Sequence, residues 1–544
     1  MKKNITIIFC MIITIGLFSE NGLSNKPVLH KIPDSINYEE MRSITRDPPE
    51  GDEIVSPAEF NRANGVLIAW PGWGQGILTD IAYEVARDYN VYIMVSDLEI
   101  AELVSDYLVS MNVNMENVYF ILDSNISSTS MWIRDYGPFY IYEDGDQALV
   151  DFFYGTYVGD DDIPYTIAES FDIPIYDSDI LHHGGNFITD GNRMAFCSTN
   201  IYNYNPGSTE TEIKNVFRDY LGIDSLIVIE PMHGDGTGHI DMFCKLLNDT
   251  LFIVGEYENP AAGFPGDFEL LNDLAEYLET LQNIDGRNFA VARIPMPPFT
   301  YGGPAGTINY TYTNSLIIND KVLVPVYGFE SDEIALQIYQ ESMPNHEIIG
   351  LDSSFIIEWW GAIHCITKLH YSTNPLIILH EQLENLEGNS TPGILFRVNP
   401  LFENTEASVF YKLESEDLYT EVTAYLADGI WTATLSLINE NFSYYISTTS
   451  ISGENEFNTT LPEDAPLEVF EVEVNIVSCE NNVIKPIFEI SNFPNPFNPT
   501  TTISYDLPDN IANPVIEIFN IKGEKVREFP IVSPSPSHQV SVTW

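Results

Sequence analysis

From Pro57 onward the apolar positions follow two periods in turn. Gly65-Val66-Leu67-Ile68-Ala69-Trp70-Pro71 is an unbroken apolar run closed by proline, which predicts a fully buried strand ending in a turn. Ile77 to Tyr89 carries its apolar residues at three- and four-residue spacing and predicts a helix. Val91 to Val95 reads as the next strand, Glu99 to Met111 as the next helix, and Val118 to Ile121 as a strand again. Strands alternating with helices predict an α/β domain, placed here over residues 51–388. Residues 25–50 lack either period and read as an irregular leader.

Past about residue 392 the helical period disappears. Short alternating runs replace it: Ala407 to Tyr411, Glu421 to Tyr425, Trp431 to Leu435 and Tyr444 to Ser447. With turn residues between them, these predict a β-sandwich of immunoglobulin-like size over 392–477. A proline-marked join precedes a small β module over 488–544, with strands near Thr502 to Tyr505 and Val515 to Phe519.

Charge narrows the function classes. The 544 residues hold 23 Lys and Arg against 80 Asp and Glu, a formal net charge of −57. Such a field repels nucleic acid and anionic membrane surfaces and attracts cationic ligands; it also serves solubility outside a cell. Met1-Lys2-Lys3, the apolar run Ile5 to Phe18 and the polar Ser19-Glu20-Asn21-Gly22 together read as an export signal over 1–24. No later run is long and apolar enough to span a bilayer. Removal of the signal takes Cys10 with it. Cys197, Cys244, Cys365 and Cys479 remain, an even number whose pairing the sequence does not give. Cys197 and Cys244 sit in apolar, strand-like contexts and are expected as buried thiols.

Five short polar clusters punctuate the α/β part. They are Trp132-Ile133-Arg134-Asp135-Tyr136-Gly137-Pro138, His182-His183-Gly184-Gly185-Asn186, Gly238-His239-Ile240-Asp241, Tyr312-Thr313-Asn314 and Ile363-His364-Cys365. Successive clusters lie 51, 53, 75 and 51 residues apart, counted from Asp135 through Asn186, His239 and Asn314 to Cys365. Repeated strand–helix units, each placing one cluster at the same end, would give this spacing around a common axis. The run Phe355-Ile356-Ile357 before Gly361 suggests a buried strand that delivers the Cys365 thiol to a cleft.

The chemistry of these residues is coherent. Cys365 is a nucleophile as a thiolate, which needs a cation or base nearby. His239 is suited to that part and to proton transfer to a leaving amine. Asp135 and Asp241 match the several N–H donors of a planar guanidinium, and Trp132 offers it an aromatic face. A metal site built from one His, one Cys and two Asp is the competing reading, but the tight ligand pairs typical of zinc are missing. His182 and His183 are neighbours on extended chain and point apart, which favours structural or pocket-lining parts.

Taken in order, the Trp-Ile-Arg-Asp-Tyr-Gly-Pro, Gly-Gly-Asn, Gly-His-Ile-Asp-Met-Phe and Ile-His-Cys-Ile-Thr motifs resemble the agmatine deiminase and bacterial peptidylarginine deiminase family over about residues 50–385. The resemblance implies a five-bladed pseudosymmetric α/β propeller. It implies that Cys365 attacks the guanidinium carbon, that Asp135 and Asp241 hold its nitrogens, and that His239 protonates the departing ammonia and then activates water. Trp132, Asn186 and Asn314 are implied to line the substrate pocket, with no cofactor and no metal. The product is a ureido group: citrulline from arginine, or carbamoylputrescine from agmatine.

The export signal and appended β domains are similar to those of secreted peptidylarginine deiminases. The peptidylarginine enzyme carries arginines after the segment corresponding to Val150 to Tyr154, where this chain has Gly155 to Asp161 without one. Its aspartates there are expected to repel a substrate carboxylate, which leaves agmatine or an internal arginine open. The stretch Asn492 to Thr500, with Ile518-Phe519-Asn520-Ile521-Lys522-Gly523, resembles a type IX secretion sorting domain. It implies a secretion-machinery partner, an outer-surface or secreted location, and a tail that stops short of the usual length. Amidino transfer to an amine, and a non-catalytic binding protein on a deiminase scaffold, are the other readings.

Overall fold

The computed structural model describes residues 47–157, 159–304, 306–402 and 404–475, and beyond them the strand segments 490–493, 500–505, 515–519, 525–530 and 538–543. The export segment, nearly all of the leader, and Cys479 lie outside the described residues. Tertiary contacts divide the chain into two units, Met1–Asn475 and Ile476–Trp544.

The first unit repeats one topological theme five times. A strand pairs antiparallel with the next strand, which continues through a helix to a third strand parallel to the second. Phe139–Glu143, Asp146–Phe153, helix Ile163–Phe171 and Ile175–Leu181 form one such sheet, which Ile54–Val55 extends. Ile188–Thr189, Met194–Ser198, helix Glu210–Leu221 and Ser225–Ile229 form the next. Cys244–Asn248, Leu251–Glu256, helix Asp267–Thr280 and Ala290–Pro295 follow, then Leu316–Ile318, Lys321–Val326, helix Ser331–Ser342 and Glu347–Asp352. The remaining sheet joins the two ends of this region: Lys368–Tyr371 pairs antiparallel with Ala63–Ala69, which leads through helix Gln75–Val85 to Asn90–Val95. A second helix, Leu98–Ser110, adds the parallel strand Val118–Leu122.

Local chemistry explains the elements. Strands such as Asn90–Val95 are buried on both faces and therefore read as continuous apolar runs. Glu210–Leu221 starts at a capping box, in which Thr209 accepts from the Glu212 backbone N–H and Glu212 from that of Thr209, and stops at left-handed Gly222. Leu98–Ser110 is capped by Asp97. One continuous core, including Val66, Ile93, Leu149, Phe196, Phe252 and Val324, runs through all five sheets. A second core lies around Phe139, Val150 and Phe217.

After residue 376 two β-sheets share one apolar core containing Ile394, Phe396, Val409, Ala433, Tyr444 and Ile446. Strand order is Ile377–Leu379, Gly393–Asn399, Ile430–Thr434, Tyr425–Ala427 in one sheet, and Thr420–Thr423, Asn404–Leu413, Phe442–Ser452, Asn455–Leu461 in the other. Burial along Phe442–Ser452 alternates residue by residue, as a strand with one face on a core requires. The run Glu421 to Tyr425, expected as one strand, is split between the two sheets. The pair is fastened to the α/β part by Arg397 on Asp249 at 2.8 Å and by Asn61 Nδ2 on Asn399 Oδ1 at 2.9 Å.

In the second unit Ile490–Phe493, Thr500–Tyr505 and His538–Thr543 make an antiparallel sheet, and Val515–Phe519 pairs with Lys525–Pro530. Among the described residues no helix is long and apolar enough to cross a membrane.

Candidate active site

Each polar cluster occupies a turn just ahead of the first strand of a sheet. Asp135 lies in the four-residue helix Ile133–Tyr136 before Phe139–Glu143, and Gly184–Asn186 is a 3-10 turn before Ile188–Thr189. Asp241 lies in the turn Ile240–Met242 before Cys244–Asn248, and Asn314 in the bend before Leu316–Ile318. Cys365 lies in the 3-10 turn His364–Ile366 before Lys368–Tyr371. The strand expected ahead of the thiol is not formed: Phe355-Ile356-Ile357 runs into a 3-10 turn, Ile357–Trp359, which ends at left-handed Trp360. The apolar run there reflects burial of Ile356 and Ile357 rather than sheet pairing.

Asp135, His239, Asp241 and Cys365 are all buried, with no more than 2% of any residue exposed. They meet at Gly185. A methyl group on Gly185 would lie 2.6 Å from His239 Nδ1, 3.0 Å from Asp135 Oδ1 and 3.3 Å from Asp241 Oδ2. Glycine therefore keeps open the space on which three reactive side chains converge. The fourth stands beside it, with Cys365 Sγ 3.9 Å from Asp241 Oδ2.

Asn314 builds the surroundings of the Cys365 sulfur. Its Oδ1 accepts from the backbone N–H groups of Ala362 and Cys365 at 3.2 and 3.3 Å, and its Nδ2 donates to Cys365 Sγ at 3.2 Å. A donor on the sulfur favours the thiolate. Expected as a pocket-lining residue, Asn314 is placed by its contacts on Cys365. Trp132 is fully buried and stands next to Cys365 across Gly361, where any side chain would strike the indole. Trp73 meets Trp132 edge-on at 6.0 Å. Asn186 is buried and accepts from Ser198 N at 2.8 Å through Oδ1; among the described residues its Nδ2 has no hydrogen-bond partner.

Two histidine systems support these groups, and sequence reasoning assigned neither. His183 Nε2 lies 3.0 Å from the carbonyl of Tyr154, and His183 Nδ1 lies 3.2 Å from His239 Nε2. A carbonyl only accepts, so the neutral His183 ring carries its proton on Nε2 and offers Nδ1 as acceptor. His239 then donates from Nε2 and keeps Nδ1 for proton transfer, 3.6 Å from Asp135 Oδ1. On the other side, His364 Nδ1 lies 2.6 Å from Asp241 Oδ2 and His364 Nε2 lies 2.5 Å from Glu59 Oε2. Both carboxylates accept, so both ring nitrogens donate. Burial alone would raise the Glu59 carboxyl, but His364 and Lys245, the latter at 2.7 Å, hold it well below the usual carboxylate range. Asp241 is thus fixed through Oδ2, while its buried Oδ1 has no partner among the described residues and is available to an N–H donor.

His182 points the opposite way, as adjacent residues on extended chain do. It is boxed by Phe139, Phe152, Phe187 and Phe217, and burial holds its imidazole well below its usual pKa. Ligand atoms of Asp135, His183 and His239 lie within 4.8 Å of one another, close enough in principle to share an ion. The hydrogen bonds of both His183 nitrogens give this trio a sufficient role without one. Asp160 and Asp161, expected to repel a substrate carboxylate, face inward instead: Asp160 Oδ1 accepts from Ser130 Oγ and Asp161 Oδ1 from Tyr154 N, both at 2.6 Å. Cys197 and Cys244 are buried free thiols, as is Cys365.

Known proteins share the fold of the residues that carry this site. Agmatine deiminase of Pseudomonas syringae pv. tomato is 23% identical over 365 residues, spanning 59% of this chain and 96% of its own length. The fold matches the solved agmatine deiminase of Enterococcus faecalis with a TM-score of 0.52 at 22% identity, over 61% of this chain and 99% of that one. It matches the agmatine deiminase of Campylobacter jejuni ("C. Jejuni") with a TM-score of 0.50 at 21% identity, over 59% and 96%. The family model of the Porphyromonas-type peptidyl-arginine deiminases matches residues 55–370, more than half of the sequence and every one of the five clusters. The chain belongs to that family of hydrolases, which act on C–N bonds of arginine- and agmatine-type guanidino groups.

Proposed function

We propose that the chain is an exported deiminase that converts the guanidino group of peptidyl-arginine or a related compound to a ureido group and ammonia. The observation that carries this reading is the convergence of Asp135, His239 and Asp241 on Gly185 with the Cys365 sulfur alongside. The guanidinium enters with its N–H groups on Asp135 and Asp241, and Trp132 walls the pocket beside the nucleophile. The Cys365 thiol passes its proton to His239 Nδ1, and the resulting thiolate adds to the amidino carbon. His239 Nδ1 gives a proton to the departing nitrogen, ammonia leaves, and an S-alkylthiouronium remains on the cysteine. Water, deprotonated at the same Nδ1, adds to that carbon. Expulsion of the thiolate releases the ureido product.

Two features support export: the charged and apolar pattern of residues 1–24, and the sorting-like sequence of 488–544, which fits delivery by a secretion machinery to the outer surface. The five repeated sheets are read as blades of a pseudosymmetric propeller, and the paired sheets after residue 376 as the immunoglobulin-like domain. Agmatine is the second substrate reading, favoured by the relatives named agmatine deiminases and by the lack of a free basic group on the 155–161 segment.

Ureido-product formation from agmatine, free arginine, and peptides with internal or C-terminal arginine tests the proposal. Turnover of one class identifies the substrate. Absence of product from all four overturns the catalytic reading in favour of binding.

A further inference from the structure

Behind the reactive cluster lies a separate cavity of about 60 Å³ whose walls include Asp241 and His364 but not Cys365, His239 or Asp135. Its charged walls are Arg134, Lys245 and Lys368 facing Glu59 and Asp241, with His364 between the two carboxylates. With His364 donating from both ring nitrogens and so counted as a cation, four cations face two anions, 4 − 2 = +2. That is an unusual interior for a chain of net charge −57.

The excess charge can be located. Lys245 is fully engaged by Glu59 and by the carbonyl of Ser315, each at 2.7 Å. Arg134 is 7% exposed, and its Nε donates to the carbonyl of His364 at 3.1 Å. Its Nη2 is buried and, among the described residues, has no hydrogen-bond acceptor. Lys368 is 6% exposed, and among the described residues its Nζ has neither a hydrogen-bond acceptor nor a carboxylate in contact. Its one close partner is the face of Phe139, 4.5 Å from Nζ to the ring centre. Gly184 lies against the same ammonium, and a methyl there would come within 2.8 Å of Nζ. Two buried cations aimed into one cavity with no carboxylate in contact with either are costly. Burial and the neighbouring Arg134 accordingly hold the Lys368 ammonium well below its usual range.

We propose that this cavity binds a small monovalent anion, of the halide class, between Lys368 Nζ and Arg134 Nη2. Apart from Thr189, Cys244 and Gly184 the remaining walls are aromatic and aliphatic, which suits a weakly hydrated ion. The volume is several times what one water needs and too small for a bulky carboxylate. The bound ion offsets part of the excess charge behind Asp241 and His364. It belongs to the folded state alone, so it stabilises the protein by mass action.

The test needs no enzymatic activity. Thermal unfolding of the whole chain is followed in sodium gluconate and in sodium bromide at equal ionic strength, and bromide is located by anomalous scattering in crystals. The expected result is a bromide-specific rise in Tm of at least ~2 °C. This rise is lost in Lys368→Met and retained in Lys214→Met, which alters an exposed lysine. An anomalous peak between Lys368 and Arg134 is also expected. Lys368→Met removes a buried charge, so it folds, and its Tm in gluconate is at least that of the parent. Equal Tm in the two salts, the same rise in Lys368→Met, or bromide found only elsewhere would each overturn the proposal. The first of these would mean a neutral amine facing water.

Discussion

Replacing His183 separates the two bonds that hold His239. In His183→Ala the carbonyl of Tyr154 and the Nε2–H of His239 both lose their partner in a buried setting. Each orphaned group is worth about 1–3 kcal/mol. The Tyr154 share falls on stability. The His239 share falls on catalysis, because the ring then rotates or takes the tautomer with its proton on Nδ1, where it cannot accept one. At 1.36 kcal/mol per factor of ten, kcat drops roughly 10- to 100-fold with KM changed far less. Two isosteres divide the effects. In His183→Asn the side-chain oxygen replaces Nδ1 as acceptor for His239, so kcat stays within about fivefold of the parent. In His183→Gln the amide reaches the Tyr154 carbonyl but not His239, so stability is kept and kcat falls as in the alanine variant. Steady-state kinetics with the preferred guanidino substrate, beside melting curves, measure both. Equal losses in the Asn and Gln variants, or an alanine variant within twofold of the parent, would refute the assigned tautomer chain.

Other consequences follow from the same contacts. Gly185→Ala places a methyl on the convergence point, so product formation should fall by at least ~10³ while the melting curve is kept; a tenfold loss or less would show that the space is not where substrate binds. Asp190 supplies a pH test. Burial raises its carboxyl from the usual 3.8 to about 7 while it accepts from Asn192 and Met194. A raised carboxyl makes the fold bind protons more tightly than the unfolded chain, so stability is fully present below pH ~4 and declines as pH rises to about 7. Asp190→Asn should remove up to ~4 kcal/mol of that penalty at pH 8 and change nothing at pH 4, as read by denaturant unfolding at the two pH values. Exhaustive chelation should leave turnover unchanged, because thiolate, imidazole and two carboxylates supply every step; restoration of a lost rate by zinc would point to Asp135, His183 and His239 as ligands.

Much of this was legible in the sequence because burial writes itself locally. The apolar run Val66 to Ala69 and the helical spacing after Ile77 reappear as elements with ends displaced by a few residues. The spacing of the polar clusters, 51, 53, 75 and 51 residues, anticipated repeated strand–helix units, since each cluster occupies the turn before a sheet's first strand. What stayed hidden depends on contacts between distant positions. Glu59 reaches His364 across 305 residues, and nothing in Pro57-Ala58-Glu59-Phe60 marks an acid linked through His364 to Asp241. His183 left a faint signal: it is one of two adjacent histidines, and the strand period puts one in the aromatic core and the other in the site. Cys365 misled because Phe355 to Ile357 has the composition of a strand. Positive φ at Trp360, and the indole of Trp132 against Gly361, instead require a tight turn. Asn314 was found through its motif, yet its bond to sulfur is invisible without coordinates.

Mass spectrometry of the acid-quenched enzyme, carried out during turnover of agmatine, arginine and arginine peptides, tests the central claim most directly. The account predicts ureido product together with a thiouronium adduct on the peptide containing Cys365, and loss of both in Cys365→Ala. Product formed by Cys365→Ala at the parental rate, or turnover with the adduct on another residue, would contradict it.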